Sequence, residues 1–214
     1  MDIKKLLNKE NPIIFEIGAN DGTDTMRLAE MFENPKIHCF EPDPFTFEKL
    51  NQHISHLNKN IITNCCALSN YTGEANFYIA DNTYSSSLKK PVEHLSVYSF
   101  VKFQENKIVK VDTLDNYAKT HKINYCDFVW MDVQGAEDLV IEGGKEFFKR
   151  TKYLYTEFSN KELYERAPNK FKILELLPGF EILEVIREWD ADGDVLLINK
   201  NFYDKTKKIN KKMN

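Results

Sequence analysis

This sequence contains neither a long apolar run nor a metal-type cysteine motif. No stretch of 18 consecutive apolar residues occurs, so we expect no membrane-spanning helix. The apolar part of segment 1–11 is too short for a secretory signal, and we therefore expect a cytoplasmic protein. The 4 cysteines form no C-x-x-C pair and have no histidine at zinc spacing, which favours reduced, buried thiols. They are Cys39, Cys65, Cys66 and Cys126.

An excess of positive charge is also missing. The chain of 214 residues has a formal net charge of −4, which disfavours binding along a nucleic-acid backbone. Small molecules or short glycans are the expected partners. With 42% hydrophobic residues, the chain can form one well-packed core. We expect an N-terminal lead-in over 1–12, one domain over 13–200 and a basic, disordered tail over 201–214.

The G-x-G-x-x-G fingerprint of dinucleotide-binding proteins is the third missing feature. Residues 13–17 form an apolar run between Pro12 and Gly18, which is typical of a buried parallel strand. The turn after it has Gly18 and Gly22, but Asn20 stands where the fingerprint has its second glycine. The asparagine side chain would obstruct a pyrophosphate, whereas a nucleoside with an amino-acid end could hydrogen-bond to it.

An acid follows the second predicted strand, 36–40. Glu41 comes 23 residues after Gly18, which is a suitable position for binding ribose hydroxyls. The helix predicted from Thr23 would direct its free N–H groups towards the same ligand. These features favour a nucleoside without a bridging pyrophosphate, and S-adenosylmethionine is the commonest cofactor of that type.

A second strand and turn of the same design lie at 125–137. The apolar strand ends at Asp132, and a glycine opens the helix that follows. A further strand, 153–158, contains Glu157 near its end. Because ligands bind beyond the carboxyl ends of parallel strands, Gly18, Asp132 and Glu157 should face one crevice.

The remaining pattern predicts an α/β fold with a Rossmann-like sheet. Strands alternate with helices on both faces of a mostly parallel sheet. The third strand, 61–68, is followed by a turn and an extra β segment at 75–79, which interrupts the alternation. Two closing strands, 180–186 and 195–199, predict an antiparallel hairpin. Such a hairpin distinguishes methyltransferase-type sheets from dinucleotide-binding folds. The serine-rich segment 81–91 is either an acceptor loop over the crevice or an ordinary surface loop.

Four motifs together resemble the FkbM-like family of S-adenosylmethionine-dependent methyltransferases. They are F-E-I-G-A-N-D-G at 15–22, F-E-P at 40–42, V-D-T-L-D at 111–115 and M-D-V-Q-G-A-E at 131–137, followed by Gly143 and Gly144. The resemblance extends over residues 13–199. It implies the class I methyltransferase fold and O-methylation of a hydroxyl, typically on a sugar or a natural product.

The resemblance also implies residue roles. The 16–22 turn would hold the methionine end of the cofactor, and Glu41 would bind the ribose hydroxyls. Ala67 or Leu68 would flank the adenine, and Asp132 would lie near the sulfonium and the acceptor. The full set of implied cofactor-binding residues is Glu16, Gly18, Ala19, Asn20, Gly22, Glu41, Pro42, Ala67, Leu68 and Asp132.

A hydroxyl acceptor must lose its proton as the new bond to oxygen forms, so a carboxylate or a histidine should act as the base. Asp132 is the first candidate, Glu157 the second and His94 the third. Two departures from the family are Glu16 in place of Asp and Gln134 in place of Glu. Gln134 removes a carboxylate from the crevice, which puts a base or metal ligand at 134 in doubt. We predict no resident metal, although Asp132 and Glu157 could serve as oxygen ligands for Mg²⁺.

Three alternatives stay open at this level. A nicotinamide-dependent oxidoreductase could use a similar sheet, but Asn20 and the closing hairpin count against it. A binding protein without turnover would keep the fold, and Gln134 gives that alternative some weight. Methylation of nucleic acid is least favoured, because the chain is acidic.

Overall fold

The computed structural model describes residues 1–104 and 106–203 of the chain. These residues form the strands β1 Ile13–Ile17, β2 Lys36–Phe40, β3 Asn60–Asn64, β4 Ala67–Leu68, β5 Gly73–Phe77, β6 Lys107–Asp112, β7 Cys126–Met131, β8 Thr151–Ser159, β9 Phe180–Glu188 and β10 Asp192–Asn199. The helices in the same residues are α1 Ile3–Leu7, α2 Thr23–Met31, α3 Pro44–Ile54, α4 His94–Val97, α5 Leu114–Thr120, α6 Glu137–Gly143, α7 Lys145–Lys149 and α8 Lys170–Leu176. None of these helices combines the length and the apolar character needed to cross a bilayer.

A seven-stranded sheet of order β3-β2-β1-β7-β8-β10-β9 forms the centre of the described chain. Its first five strands pair in parallel, while β10 pairs antiparallel with both β8 and β9. Helices α1, α2 and α3 contribute to the buried cluster on one face, and α5 to α8 contribute to the cluster on the other. The predicted α/β fold, with its closing hairpin and helices on both faces, is therefore confirmed.

The central position of β1 brings together the segments that the sequence singled out. Ile17 lies in register with Phe40 of β2 and with Met131 of β7. Glu41 and Asp132 each follow directly after these partners. The turn at Gly18 is therefore flanked by both acids, as the crevice prediction requires.

The single strand predicted over 61–68 is wrong, because the chain leaves the main sheet at Asn64. The backbone N–H of Glu41 donates to the Asn64 carbonyl, and the Asn64 side chain donates to the Cys39 carbonyl at 2.9 Å. After this point β4 pairs with β6 in a separate three-stranded sheet of order β4-β6-β5. The short helices α4 and α7 were also missed, since neither is long enough to show a helical period.

The structure describes the first predicted end segment and only the start of the second. Ile3 and Leu7 of α1 are buried, and Lys9 Nζ contacts Asp127 Oδ2 at 2.8 Å, so segment 1–12 packs on the domain. At the other end, Lys200–Phe202 forms a 3₁₀ turn, so the predicted tail is structured at its start. Residues 204–214 lie outside the described residues.

All four cysteines are free thiols, as predicted, but only two are buried. Cys39 and Cys126 lie inside the core, whereas Cys65 and Cys66 are half-buried where the chain passes between the two sheets. The expectation of burial was therefore wrong for the second pair, because the strand to which it was assigned ends before them.

Candidate active site

A cavity opens at the carboxyl ends of β1, β2 and β7. The space between its walls is about 870 Å³ when the open mouth is included. Its wall contains residues from the segments 16–24, 40–43, 66–68 and 130–134. Side chains from segment 83–88 complete it, so the serine-rich segment does border the crevice.

Gly18 is required by a close approach of two backbones. Its φ is +88°, and a Cβ atom placed on it would lie 1.8 Å from the carbonyl oxygen of Asp132. The Asp132 N–H donates to the Ile17 carbonyl at 3.0 Å, which holds the two strand ends together. No side chain fits between them, so the glycine permits the geometry of the cavity floor.

Asn20 connects the glycine turn to two other segments. It adopts a left-handed φ of +46°, and its backbone N–H donates to Glu41 Oε2 at 3.0 Å. Its side-chain oxygen accepts a hydrogen bond from Thr83 Oγ1, also at 3.0 Å. The asparagine predicted as a ligand contact therefore also ties segment 83–88 to the turn.

Glu41 is buried and holds the turn in place with both carboxylate oxygens. Oε2 accepts from the Asn20 N–H, and Oε1 accepts from the Asp43 N–H at 2.9 Å. Burial raises its pKa to about 7, although the two N–H donors oppose the shift. Each oxygen keeps a second lone pair. These free lone pairs could accept hydrogen bonds from ribose hydroxyls, and the predicted ribose contact of Glu41 stays a prediction.

Glu16 borders the cavity but is engaged by the protein itself. Its side chain is 1% exposed, and Oε2 accepts from Thr25 Oγ1 at 2.5 Å and from the Cys39 thiol at 3.6 Å. Burial raises its pKa to about 8, so the carboxyl group is mostly protonated at neutral pH. This placement assigns Glu16 a role in joining α2 to β1, and its predicted contact with the methionine end stays a prediction.

Four further predicted cofactor residues border the cavity, and one does not. Ala19 and Pro42 lie in its wall, as do Ala67 and Leu68 on the apolar side. Gly22, by contrast, packs under α3: a Cβ atom on it would lie 2.6 Å from Leu50 Cδ1. The structure therefore gives Gly22 a packing role and does not bring it into the cavity wall.

The sequence analysis missed several residues of the cavity wall. Trp130 borders it two residues before Asp132, and the two-residue period of a strand could have placed it on the same face. Cys66 and Phe77 come from segments around the second sheet, and no local signal indicates that they reach the cavity.

The cavity wall is strongly acidic. Among its described residues there is no lysine, arginine or histidine, while the carboxylic residues are Asp21, Asp24, Glu41, Asp43, Asp132 and the mostly protonated Glu16. A pyrophosphate would meet repulsion here, whereas the sulfonium and ammonium groups of S-adenosylmethionine would be attracted. The residues therefore fit this cofactor and argue against a nicotinamide dinucleotide.

Thermal unfolding should distinguish the two cofactor classes. At 100 times its dissociation constant, S-adenosylmethionine should add about 2.7 kcal/mol of stability and raise the midpoint by about 5–10 °C. NAD at the same concentration should leave the midpoint unchanged, because its pyrophosphate would face carboxylic residues in a wall whose described residues include no lysine, arginine or histidine. A shift with NAD as large as that with S-adenosylmethionine would contradict this interpretation of the cavity.

Asp132 is the predicted base candidate that lies in the cavity wall. It is partly exposed, and its Oδ1 accepts from Gln134 Nε2 at 2.8 Å. The same Nε2 donates to Glu157 Oε2 at 2.9 Å. Burial raises the pKa of Asp132, and the nearby Asp194 adds to the rise.

The other two base candidates lie away from the cavity wall. Glu157 is separated from it by the Gln134 amide, and burial together with the charge of Asp132 raises its pKa well above the usual range. His94 is 2% exposed, within 5.1 to 5.4 Å of the rings of Tyr98, Phe103 and Tyr164. These placements favour Asp132, and the roles themselves stay predictions.

The magnesium alternative requires a cation between Asp132 and Glu157. In the described residues the Gln134 amide nitrogen lies there. Residues 1–104 and 106–203 also contain no group of three or more His, Cys, Asp or Glu side chains arranged to hold a metal ion.

Sequence comparison agrees with the cavity. Residues 16–190 match the methyltransferase FkbM domain. The 2-O-methyltransferase NoeI of Sinorhizobium fredii (strain NBRC 101917 / NGR234) is 36% identical over 204 residues, which are 92% of this chain and 83% of NoeI.

Solved structures with the same fold include two that contain S-adenosylmethionine. Fibrillarin from Aeropyrum pernix with the bound cofactor is 14% identical, with a TM-score of 0.52 over 89% of this chain and 67% of its own. The magnesium protoporphyrin IX methyltransferase of Synechocystis PCC 6803, also with bound cofactor, is 10% identical, with a TM-score of 0.51 over 92% and 76%. At these identities the likeness establishes the fold alone. The domain match and the NoeI relationship show that this chain belongs to the FkbM methyltransferase family and is an S-adenosylmethionine-dependent enzyme.

Proposed function

We propose that this enzyme transfers a methyl group from S-adenosylmethionine to a hydroxyl oxygen of a sugar unit, with Asp132 as the base. The observation that carries the proposal is the partly exposed Asp132 carboxylate in the wall of an acidic cavity that fits the cofactor. The name of the 36% identical relative, a 2-O-methyltransferase, supports transfer to oxygen. The resemblance to the FkbM family supports a sugar or a natural product as acceptor.

The reaction requires positioning and the removal of one proton. When bound, S-adenosylmethionine supplies a methyl group on a positively charged sulfur that is already a good leaving group. Holding the acceptor oxygen in line can contribute up to ~7–11 kcal/mol in the best cases. An Asp132 oxygen then accepts the hydroxyl proton, which should increase the rate of methyl transfer by about 10²–10⁴-fold. Because its pKa is raised, Asp132 is a stronger base than an exposed aspartate.

Aromatic and carboxylic side chains together suit a sugar ring. Trp130 borders the cavity and packs on Tyr155 with ring centroids 4.3 Å apart. Tyr84, at the edge contributed by segment 83–88, is 56% exposed. Ring faces of this kind pack against the apolar face of a sugar, while carboxylates accept hydrogen bonds from its hydroxyls.

The charge of the cavity predicts a neutral acceptor. Neutral glycosides and oligosaccharides should be methylated at least 10-fold faster than sugar phosphates or nucleotide-activated sugars. Repulsion between like charges lowers both the rate at which an anionic acceptor reaches the cavity and its affinity there. Transfer of labelled methyl groups from S-adenosylmethionine to a panel of both classes would measure this. A short RNA serves as a polyanionic comparison.

Preferred methylation of a nucleotide sugar, or of RNA, would contradict this part of the proposal. Methylation of phenols or amines, with all sugars inactive, would contradict the sugar assignment while leaving the cofactor unaffected. The proposal also includes a cytoplasmic location and no nucleic-acid partner.

A further inference from the structure

The amide of Gln134 lies between two carboxylates that would otherwise repel each other. Its nitrogen is 2.8 Å from Asp132 Oδ1 and 2.9 Å from Glu157 Oε2. A primary amide carries two N–H donors, so one can serve each carboxylate. A glutamate at this position would offer no donor unless it were protonated.

Contacts hold both the Gln134 backbone and the oxygen of its amide. The Gln134 backbone adopts a left-handed φ of +53°, and its carbonyl accepts from Ser87 Oγ at 2.8 Å. On the other side, the Tyr164 hydroxyl lies 3.1 Å from Gln134 Oε1 and 2.7 Å from the Ser85 carbonyl. Rotating the amide by half a turn would direct its oxygen at both carboxylates. The observed orientation is therefore the one that the surrounding charges require.

We propose that Gln134 is a positioning residue, which holds the Asp132 and Glu157 carboxylates together in place of a bridging cation or a shared proton. The inference rests on the proposed role of Asp132 as base. It predicts that the residue at position 134 determines the pKa of that base. It also predicts that, with glutamine there, divalent cations do not change this pKa.

Other charged groups face the same pair from neighbouring elements. Arg187 of β9 lies 3.6 Å from Glu157 Oε1 and pairs with Asp194 of β10 at 2.9 Å. The remaining titratable groups with an electrostatic effect on the pair, or subject to one from it, are Glu137, Asp192, Tyr98, Tyr155 and Tyr164. Among the described residues, none of these groups donates a hydrogen bond to both carboxylates. Their electrostatic effect on the pair should therefore be the same in the wild type and in the Gln134 variants.

The test follows the two carboxyl groups directly, without an acceptor. In protein labelled with ¹³C at the Asp and Glu carboxyls, the two signals are assigned from Asp132→Asn and Glu157→Gln, and their titration is followed by NMR. Gln134→Met keeps the length of the side chain and removes both donors. Since a hydrogen bond to the charged form lowers a pKa, the titration midpoint of at least one carboxyl should rise by about one pH unit. The matched control is Gln52→Met on the exposed side of α3, which should leave both midpoints unchanged.

Gln134→Glu tests the cation part of the proposal. A third carboxylate should raise the midpoints further than Gln134→Met does, and millimolar MgCl₂ should reverse the rise by occupying the position of the lost amide. The wild-type midpoints should not respond to MgCl₂. Unchanged midpoints in both folded variants, or wild-type midpoints that move with MgCl₂, would overturn the inference. Failure of the base assignment would appear separately, as near-normal turnover of Asp132→Asn with these titrations as expected.

Discussion

Asp132→Asn should lower the turnover number for methyl transfer by about 10²–10⁴-fold, the contribution expected of a general base. The substitution keeps the size of the side chain, and the asparagine oxygen can still accept from Gln134 Nε2. The affinity for S-adenosylmethionine should therefore change by no more than a few-fold. Turnover with a hydroxylated acceptor and calorimetric titration with the cofactor measure the two quantities.

Asp190→Asn provides the matched control for this change. Its side chain is 88% exposed at the turn between β9 and β10 and pairs with Lys161, away from the cavity wall. It should leave turnover unchanged. Near-normal turnover of Asp132→Asn, with unchanged cofactor affinity, would show that another group removes the proton.

The pH dependence of turnover gives a second test of the same base. Asp132 is active when ionised, so turnover should rise with pH as the residue loses its proton. Because burial and Asp194 raise its pKa, the rise should occur above the pH range of an exposed aspartate. Asp132→Asn should abolish this limb of the profile.

Gly18→Ala should be the most destabilising substitution in the cavity wall. The left-handed φ of +88° costs an alanine about 1–2 kcal/mol. The new Cβ atom would lie 1.8 Å from a backbone oxygen of Asp132, which no side-chain rotation can relieve, and overpacking of this kind costs about 1–3 kcal/mol or more. A total of about 2–5 kcal/mol is a large part of the stability of an ordinary domain. Urea unfolding, compared with the wild type, measures the change.

Gly179→Ala is the control for this change. Gly179 has ordinary backbone geometry, and a Cβ atom there would contact only Asn199 Oδ1 at 3.8 Å. Its stability should stay within about 1 kcal/mol of the wild type. If Gly18→Ala does not fold, it should yield no soluble protein with a helical circular-dichroism spectrum, while Gly179→Ala yields a normal amount. That outcome would also show that the substitution at Gly18 is strongly destabilising. Equal stability of the two variants would contradict the close approach of β1 and β7.

Residues that are far apart in the sequence lie together at the cavity. Glu41 and Asp132 were placed at the crevice because each follows an apolar strand, and parallel strands align their carboxyl ends. The register of Ile17 with Phe40 and Met131 realises that placement. By contrast, Gly22 carries the same positive φ as Gly18, yet it packs against Leu50 and lies outside the cavity wall. The residue type alone could not separate the two glycines.

The sequence by itself determined the sheet, its closing hairpin, the cofactor class and the positions of Glu41 and Asp132. These follow from local period, turn residues and spacing, which involve neighbours along the chain. Only the tertiary structure decided that Glu16 bonds to Thr25, that His94 lies among aromatic rings, and that the Gln134 amide joins two carboxylates. The contacts of these side chains depend on the folded structure. Their protonation and orientation are set by burial and by neighbouring charges, which are brought close only when the chain folds.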